Sequence, residues 1–336
     1  MAANTKVEPA FHRKALIVIG LLVLALFLWK IAPVLLLAFA GVVFATMIRA
    51  AAVPLSRRTG MPDLLAVSIV GGLGLLLLIA AGYLFGQRVT EEANALWTAL
   101  GDAWTKFEQF VSKFPIGQTA MEGMKSGGTD SQAMAKVAKG TFTVFGAVAD
   151  VFLVIFLAFY LAADPRTYRR GLMHLVPKPV RERVEGALDA SGVALRKWLL
   201  GQLAAMLAVG LLTGLGLWAI GVPLAIPLAI LSALLDFVPV IGPFIAAFPG
   251  VLIAFSQSPE LGLYAALVYL AVQFVEGNIV MPLAQKWAVS VPPALSLLGI
   301  VAFGVVFGLA GVLFAMPLLV VTMVMVQKLY VDRIER

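Results

Sequence analysis

The sequence contains no cysteine and only two histidines among its 336 residues. The absence of cysteine excludes disulfide frameworks, thiolate metal sites and thiol catalysis. Because His12 and His174 lie outside the apolar segments, a histidine-rich metal site and the serine–histidine pair of an intramembrane protease are not expected. The sequence also lacks a Walker lysine motif, a zinc signature and a Gly-x-Gly-Asp motif. It therefore predicts no enzyme, no cofactor and no metal.

Charged residues are also scarce: they make up 13% of the chain, whereas hydrophobic residues make up 61% and the mean hydropathy is +0.99. Soluble domains carry about 25% charged residues, so this chain lacks the polar surface that water requires. The net charge of +7 comes from Lys and Arg in the short segments between apolar runs. That placement is typical of membrane topology and not of a nucleic-acid groove. The composition predicts an all-α polytopic protein whose partner is the lipid bilayer and not a nucleic acid.

Eight apolar segments divide the chain, and a full helical span takes about 20 such residues. They lie at 15–29, 31–48, 63–86, 141–163, 198–220, 223–256, 260–281 and 292–326. The first two are short and meet at Lys30 and Pro33, which predicts a tight helical hairpin. Two later segments, 223–256 and 292–326, are interrupted by Pro and Gly, which predicts two broken-helix hairpins that either cross the bilayer or return within it. About five or six full spans complete the predicted fold.

The charges orient these spans. Residues 164–197 carry eight Lys or Arg against four acidic residues, whereas 87–140 balance six against six. The positive-inside rule then predicts cytoplasmic N- and C-termini and an extracytoplasmic 87–140 segment. The predicted parts are an N-terminal hairpin and third span (1–86), this outer segment (87–140), a fourth span with a basic cytoplasmic helix (141–197), a transport core (198–327) and a cytoplasmic tail (328–336).

Two of these parts contain further helical patterns. The outer segment has an apolar stripe at three- and four-residue steps, made of Val89, Ala93, Leu96, Leu100, Trp104, Phe107, Val111 and Phe114. The stripe predicts a helix that lies on the membrane or on neighbouring helices, with a subunit contact or a substrate-facing cap as the alternative. In the basic part, Pro179 stands where a helix begins, and the apolar spacing continues into the 198–220 span.

The second half of the chain contains an internal repeat. The string WAIGVP at 218–223 recurs as WAVSVP at 287–292, and the same offset places Gly242 on Gly311. Pro249 falls on Pro317 at an offset shorter by one residue. Paired, interrupted hydrophobic segments in opposite orientation are typical of secondary-transporter cores. Chance similarity in a low-complexity membrane sequence is the alternative.

Three acidic residues stand out in the interior of apolar segments, where each costs about 2.5–3.5 kcal/mol on insertion scales and is a functional candidate. Asp236 precedes Pro239, Gly242 and Pro243, which free backbone groups that can bind a cation or a polar solute. The alternative is that Asp236 only caps a half-helix. Asp150 is a candidate proton relay, or a neutral buried carboxyl group bonded to a neighbour.

Gln273, Glu276 and Gly277 cluster on one side of a predicted helix, with Asn278 near the edge of that side. This spacing predicts a polar cleft, with interhelical hydrogen bonding as the structural alternative. Gln202 either lines the same cleft or lies at the headgroup level. Gly311 is included as the counterpart of Gly242 in the second hairpin. The sequence thus predicts a solute- or ion-binding site with Asp236 and Glu276 at its centre.

Five sequence strings in this order resemble the AI-2E transporter family, the autoinducer-2 exporter-like bacterial membrane proteins. They are FYLAAD at 159–164, LRKWLLGQ at 195–202, DFVPVIGP at 236–243, EGN at 276–278 with Pro282, and GVVFGLAG at 304–311 with AMPL at 315–318. The resemblance covers residues 15–327 and implies a multi-pass protein of the bacterial inner membrane.

The resemblance also implies a function. It points to efflux of the quorum-sensing signal autoinducer-2, or of another small polar solute, by an elevator-like or gated mechanism driven by an ion gradient. Relatives that resemble Na⁺(Li⁺)/H⁺ antiporters make a monovalent cation and a proton the alternative partners. A passive pore or a membrane scaffold is a further alternative. A homo-oligomer, with five subunits as the family-level expectation, is implied as well.

Overall fold

The computed structural model describes residues 9–111, 144–285 and 291–334, and every regular element within these ranges is helical. The long helices of the first half are α1 (Pro9–Thr59), α2 (Asp63–Val111) and α3 (Val144–Ala163), followed by the short α4 (Pro165–His174). The second half contains α5 (Arg181–Ala219), α6 (Ala225–Leu235), α7 (Ile241–Gln257), α8 (Pro259–Val275), α9 (Met281–Gln285), α10 (Pro293–Val326) and α11 (Asp332–Ile334). The prediction of an all-α fold is confirmed.

Four of the described segments are long and apolar enough to cross a bilayer: Trp29–Thr59, Lys178–Ala219, Pro259–Leu283 and Pro293–Val331. A fifth candidate is the bent pair Asp150–Ala163 and Pro165–His174, whose axes differ by 91°. The bend follows from the sequence, because Asp164 caps α4 by accepting the Thr167 amide and Pro165 occupies the first helical position. These hydrogen bonds from Thr167 lower the pKa of the exposed Asp164 carboxyl group.

The hairpin predicted at Lys30 and Pro33 is wrong, because α1 is one continuous helix with Pro33 inside it. A proline within a continuous helix leaves one carbonyl without its usual partner. A reversal of the chain at this point would leave several unpaired backbone groups in an apolar environment, each costing several kcal/mol. The continuous helix is therefore the less costly solution.

The outer helix predicted after residue 86 is the continuation of α2, which runs without a break to Val111. Its aromatic side chains pack on α7: Trp104 lies 6.5 Å from Phe248, and Phe107 lies 5.6 Å from Phe255 between ring centroids. The part of the apolar stripe that the structure describes thus lies on a neighbouring helix, as one of the interpretations predicted. Phe114 and the rest of 112–143 lie outside the described residues.

The helix predicted to begin near Pro179 and to continue into the fifth span is confirmed as a 3₁₀ turn (Lys178–Val180) followed directly by α5. Helix α5 forms the centre of the described core. Its residues Leu195, Trp198 and Leu199 are buried with Val43 of α1 and Val320 of α10. Farther along α5, Gly210 and Gly214 let α6 approach closely, since a Cβ atom on either would lie within 3 Å of an alanine Cβ on α6.

Both predicted hairpins are present in the core. The first consists of α6 and α7, joined by a tight turn at 236–240. The second lies within α10, where Gly308 (φ 66°, ψ −148°) breaks the helical conformation. Gly299 lies against Leu319 on the other side of this break. These two residues would be about 30 Å apart in a straight helix, so α10 folds back on itself at Gly308.

The two hairpins pack on each other. Val238 and Ile241 of the first form a buried apolar cluster with Ile300, Phe303 and Ala315 of the second. This contact places the turn of the first hairpin inside the fold, next to the end of α8. The string WAVSVP begins in a part of the chain outside the described residues (286–290), and the opposite orientation of the two copies stays a prediction.

Candidate functional site

The buried Asp236 lies at the turn of the first hairpin. Its side chain is 1% exposed, and neither carboxylate oxygen has a hydrogen-bond donor among the described residues. The carboxyl group of Glu276, a residue that is 7% exposed, lies close enough to that of Asp236 for the two to interact electrostatically. Two carboxylates are both acceptors and repel each other, so a donor or a positive charge must complete the pair. A proton or a small cation meets that requirement.

The turn holds Asp236 in place by an unusual backbone conformation. The Ile241 amide donates to the Pro239 carbonyl at 2.9 Å across Val240, whose φ of 70° and ψ of −57° form a γ-turn with positive φ. Such a conformation costs about 1–3 kcal/mol in a β-branched residue. Gly242 is required next, because a Cβ atom there would overlap the Leu235 carbonyl. Pro239 and Gly242 therefore shape the turn.

Gln202 of α5 fixes this turn from the side. Its side-chain amide donates to the Asp236 backbone carbonyl at 2.7 Å, and the residue is 5% exposed. The aromatic rings of Trp198 and Phe237 form a second contact between α5 and the turn, with centroids 6.1 Å apart. Gln202 thus lies beside Asp236 and bonds its backbone carbonyl, as the interpretation that places Gln202 in the same cleft predicts.

Glu276 begins a π-helical turn (Glu276–Val280) between α8 and α9. The extra residue of a π turn redirects side chains, and such turns occur frequently at functional sites. The Gln273 side-chain amide donates to Glu276 Oε2 at 2.9 Å. Asn278 is exposed instead, and its amide donates to the Phe274 carbonyl at 2.9 Å. The structure therefore joins Gln273 to the carboxyl pair and leaves Asn278 as a cap of the disturbed helix.

The remaining predicted site residues lie farther from the pair. Gly311 belongs to the second hairpin, where a Cβ atom would overlap the Phe303 carbonyl, so its role is close backbone packing. Asp150 is exposed on α3 and has no hydrogen bond or ion pair with the residues that the structure describes. The exposure of Asp150 does not fit the interpretation as a buried, bonded carboxyl group, and its role as a proton relay stays a prediction.

A cavity of about 280 Å³ lies beside the carboxyl pair, between α5, α6, α7 and α8. Its wall is mainly apolar and includes Pro243, but it also contains Thr213, Ser232, Tyr269 and Gln273. The hydroxyl groups of Thr213 and Tyr269 are buried without a hydrogen-bond partner. Tyr269 lies close to Ser232, whose hydroxyl group donates to the Leu228 carbonyl at 2.8 Å.

Gln273 lines this cavity and also bonds Glu276, so one side chain connects the cavity to the carboxyl pair. Sequence reasoning missed Thr213, Ser232 and Tyr269, because a search for intramembrane charge does not detect neutral hydroxyl groups. A second search, for hydroxyl groups in glycine-containing apolar segments, finds Thr213 beside Gly214. The arrangement provides a mainly apolar cavity with two unpaired hydroxyl groups, next to the buried carboxyl pair.

Comparison with known proteins gives a consistent result over almost the whole chain. A family model described as "AI-2E family transporter" matches residues 16–330. Three relatives carry names that describe them as transport proteins. YrrI of Bacillus subtilis (strain 168) is 31% identical over 182 residues, which are 53% of this chain and 52% of that protein. The chain thus spans about half the length of YrrI in this match.

The other two relatives match over a longer part of the chain. YueF of the same organism is 25% identical over 267 residues, 73% of this chain and 70% of that protein. MT0215 of Mycobacterium tuberculosis (strain CDC 1551 / Oshkosh) is 28% identical over 276 residues, 77% of this chain and 73% of that protein. The family model itself extends from α1 to the turn that follows α10, and therefore includes both Asp236 and Glu276.

Proposed function

The chain belongs to the AI-2E transporter family and is a membrane transporter, and we propose that it is a secondary transporter for the efflux of a small polar solute. In this proposal the cavity beside α5 to α8 receives the solute, and Asp236 with Glu276 carries the coupling proton or monovalent cation. The buried carboxyl pair without a counter-charge is the observation that carries the proposal.

The energetic cost of the buried carboxyl pair favours ion coupling. A single charge in a membrane helix costs about 2.5–3.5 kcal/mol on insertion scales, and two adjacent like charges repel each other in addition. No Lys or Arg among the described residues forms an ion pair with Asp236 or Glu276. Neither a passive pore nor a scaffold requires such a pair of buried carboxyl groups. An exchangeable proton or cation neutralises it in one state of the transport cycle and leaves it in another.

The cavity beside the carboxyl pair favours a solute as the transported species. Its volume of about 280 Å³ suits a molecule of a few carbon atoms, and its unpaired hydroxyl groups favour one with hydroxyl or carbonyl groups. A small signalling molecule of the autoinducer-2 type has this chemistry. The proposal takes the export direction and the location in the bacterial inner membrane from what the family resemblance implies.

A second candidate function is Na⁺(Li⁺)/H⁺ antiport, which the same carboxyl pair favours. Carboxylates are suitable oxygen ligands for hard cations and also bind protons, so the two ions can compete for one site. In this case the cavity is a route for hydrated cations, and no organic solute is needed.

A proteoliposome experiment separates the two candidates. Purified protein is reconstituted with an internal pH dye, and a Na⁺ or Li⁺ gradient is imposed. In parallel, uptake of labelled autoinducer-2 is followed under an imposed pH gradient. The variants are Asp236→Asn and Glu276→Gln, and the matched control is Glu260→Gln, an exposed carboxylate in the first turn of the same helix α8.

The expected result is solute movement that depends on the pH gradient and falls by about 100-fold or more in both site variants but not in the control. Cation-driven proton movement with the same pattern would establish antiport and demote solute export. Full activity in Asp236→Asn and Glu276→Gln, with the variants folded and inserted, would refute the role of the pair in either function.

A further inference from the structure

A second polar site lies far along the chain from the carboxyl pair, where α4 meets the start of α5. A cavity of about 620 Å³ there is lined by Arg166, Arg169, Arg170, Met173, His174, Arg181 and Glu185. Four guanidinium groups thus face one space whose only lining carboxylate is Glu185. Two more carboxylates act from outside the lining, since Asp164 interacts with Arg170 and Asp189 pairs with Arg169 at 2.7 Å.

The hydrogen bonds of these arginines are incomplete. Arg169 pairs with Glu185 at 2.9 Å, but its Nε atom is buried and has no acceptor. The Nε atom of Arg181 is buried without an acceptor as well, although one terminal nitrogen donates to the Val176 carbonyl at 3.3 Å. Buried donors are nearly always paired in folded proteins, so two orphaned guanidinium nitrogens at one cavity indicate a missing acceptor.

Arg166 adds a free guanidinium group. Its side chain makes no hydrogen bond or ion pair with the residues that the structure describes, although it lines the cavity. Arginine presents its donors as a planar fork that fits two oxygens of a phosphate group. Several guanidinium groups around one space, more numerous than the carboxylates, are typical of a phosphate-binding site.

The position of the cavity relative to the bilayer indicates the source of the phosphate. Helix α4 lies at 91° to α3, so it lies close to the membrane plane when α3 crosses the bilayer. Tyr168, Leu172 and Leu175 are exposed along one side of α4 and the residue that follows it, at steps of four and three residues. An exposed apolar stripe beside a cluster of arginines is the pattern of a helix at the headgroup level.

We propose that the cavity between α4 and α5 binds the phosphate group of an anionic phospholipid on the side of the membrane that carries the basic residues. Arg166 and Arg181 contact the phosphate from the two helices, and the stripe of Tyr168, Leu172 and Leu175 lies against the acyl chains. The lipid fixes the angle between α3 and α5. This inference is independent of the transported substrate.

The test uses the full-length protein in detergent after removal of native lipid. Binding of dioleoylphosphatidylglycerol and of dioleoylphosphatidylcholine is measured by native mass spectrometry, and inorganic phosphate is tested by its effect on the unfolding temperature. The variant is Arg166→Gln/Arg181→Gln. The matched control is Lys178→Gln/Arg183→Gln, which removes the same charge from exposed residues of the same region that do not line the cavity.

The expected result is preferential binding of phosphatidylglycerol by the wild type and the control, and binding weaker by about tenfold or more in Arg166→Gln/Arg181→Gln. Glu185→Gln is expected to bind more tightly, because it removes the lining carboxylate. Inorganic phosphate without lipid is the alternative ligand. If it raises the unfolding temperature of the wild type but not of Arg166→Gln/Arg181→Gln, the site binds soluble phosphate and the lipid proposal is overturned. Equal lipid binding in all proteins, or an equal loss in the control, would overturn the proposal.

Discussion

The two hairpins of the core reverse the chain in the same way but differ at the turn. In each, a glycine lies so close to an earlier carbonyl that a Cβ atom would overlap it, namely Gly242 at the Leu235 carbonyl and Gly311 at the Phe303 carbonyl. The first turn contains a strained Val240 and a buried Asp236. The second has Gly308 with positive φ, and its turn contains no ionisable residue.

The difference between the two turns shows that reversal of the chain and binding of an ion require different residues. Close backbone approach at a glycine suffices to fold an apolar segment back on itself, and both hairpins have it. Binding of a proton or cation needs a carboxyl group as well, and only the first hairpin carries one. We expect the first hairpin to respond to the bound ion, and the second to act as the wall on which it packs through Val238 and Ile300.

The largest effect on stability is expected at the close-packed glycine that each hairpin contains. Gly242→Ala and Gly311→Ala each place a methyl group into a backbone carbonyl, which cannot move without opening the hairpin. Each is expected to lower the free energy of unfolding by about 3 kcal/mol or more. Thermal unfolding in detergent measures the loss. Gly277→Ala is the control, because a Cβ atom there meets nothing within 4 Å. A tolerated Gly311→Ala would show that the two turns are not equivalent.

A smaller effect on stability is expected at Gln202, whose side chain bonds the turn of the first hairpin. Gln202→Leu removes the hydrogen bond to the Asp236 carbonyl and leaves that carbonyl buried without its donor. The expected loss is about 1–3 kcal/mol in the free energy of unfolding, together with a loss of transport, because the turn no longer holds Asp236 opposite Glu276.

The control for Gln202→Leu is Gln257→Leu, an exposed glutamine at the end of α7. Unchanged transport in a folded Gln202→Leu protein would show that the position of Asp236 does not depend on this bond. A loss of stability without a loss of transport would restrict Gln202 to a structural role.

The sequence predicted both hairpins and both carboxylates for physical reasons. Charges in apolar segments are costly and therefore conspicuous, and Gly242 and Gly311 were related by the internal repeat. Asp236 and Glu276 are predicted to share one site, but the close approach of their carboxyl groups could not be predicted, because it depends on tertiary packing across 40 residues of chain. The π-helical turn at Glu276 was also missed, since a one-residue insertion leaves helical periodicity nearly unchanged.

The errors in the sequence analysis have a common cause. The hairpin at Pro33 was inferred from a charge and a proline, but a reversal also needs residues that allow close backbone approach, as Gly242 and Gly311 do. In contrast, the bend at Asp164 had a readable signal in Asp164 followed by Pro165, the arrangement of a helix start. Local turn chemistry was a better guide than breaks in hydropathy.

The smallest effect concerns Val240, and its sign is opposite to that of the other predictions. Val240→Gly relieves about 1–3 kcal/mol of strain at positive φ and adds about 0.5–1 kcal/mol of chain entropy to the unfolded state. The net expectation is a gain of about 1 kcal/mol in the free energy of unfolding, which would make the first turn resemble that of Gly308. Val240→Ala is the control, because it keeps a Cβ atom at positive φ and should gain less.

If the strain poises the first hairpin to move, the more stable Val240→Gly protein transports more slowly in the proteoliposome assay. A more stable variant with an unchanged rate would assign the strain to the tightness of the turn and not to its movement.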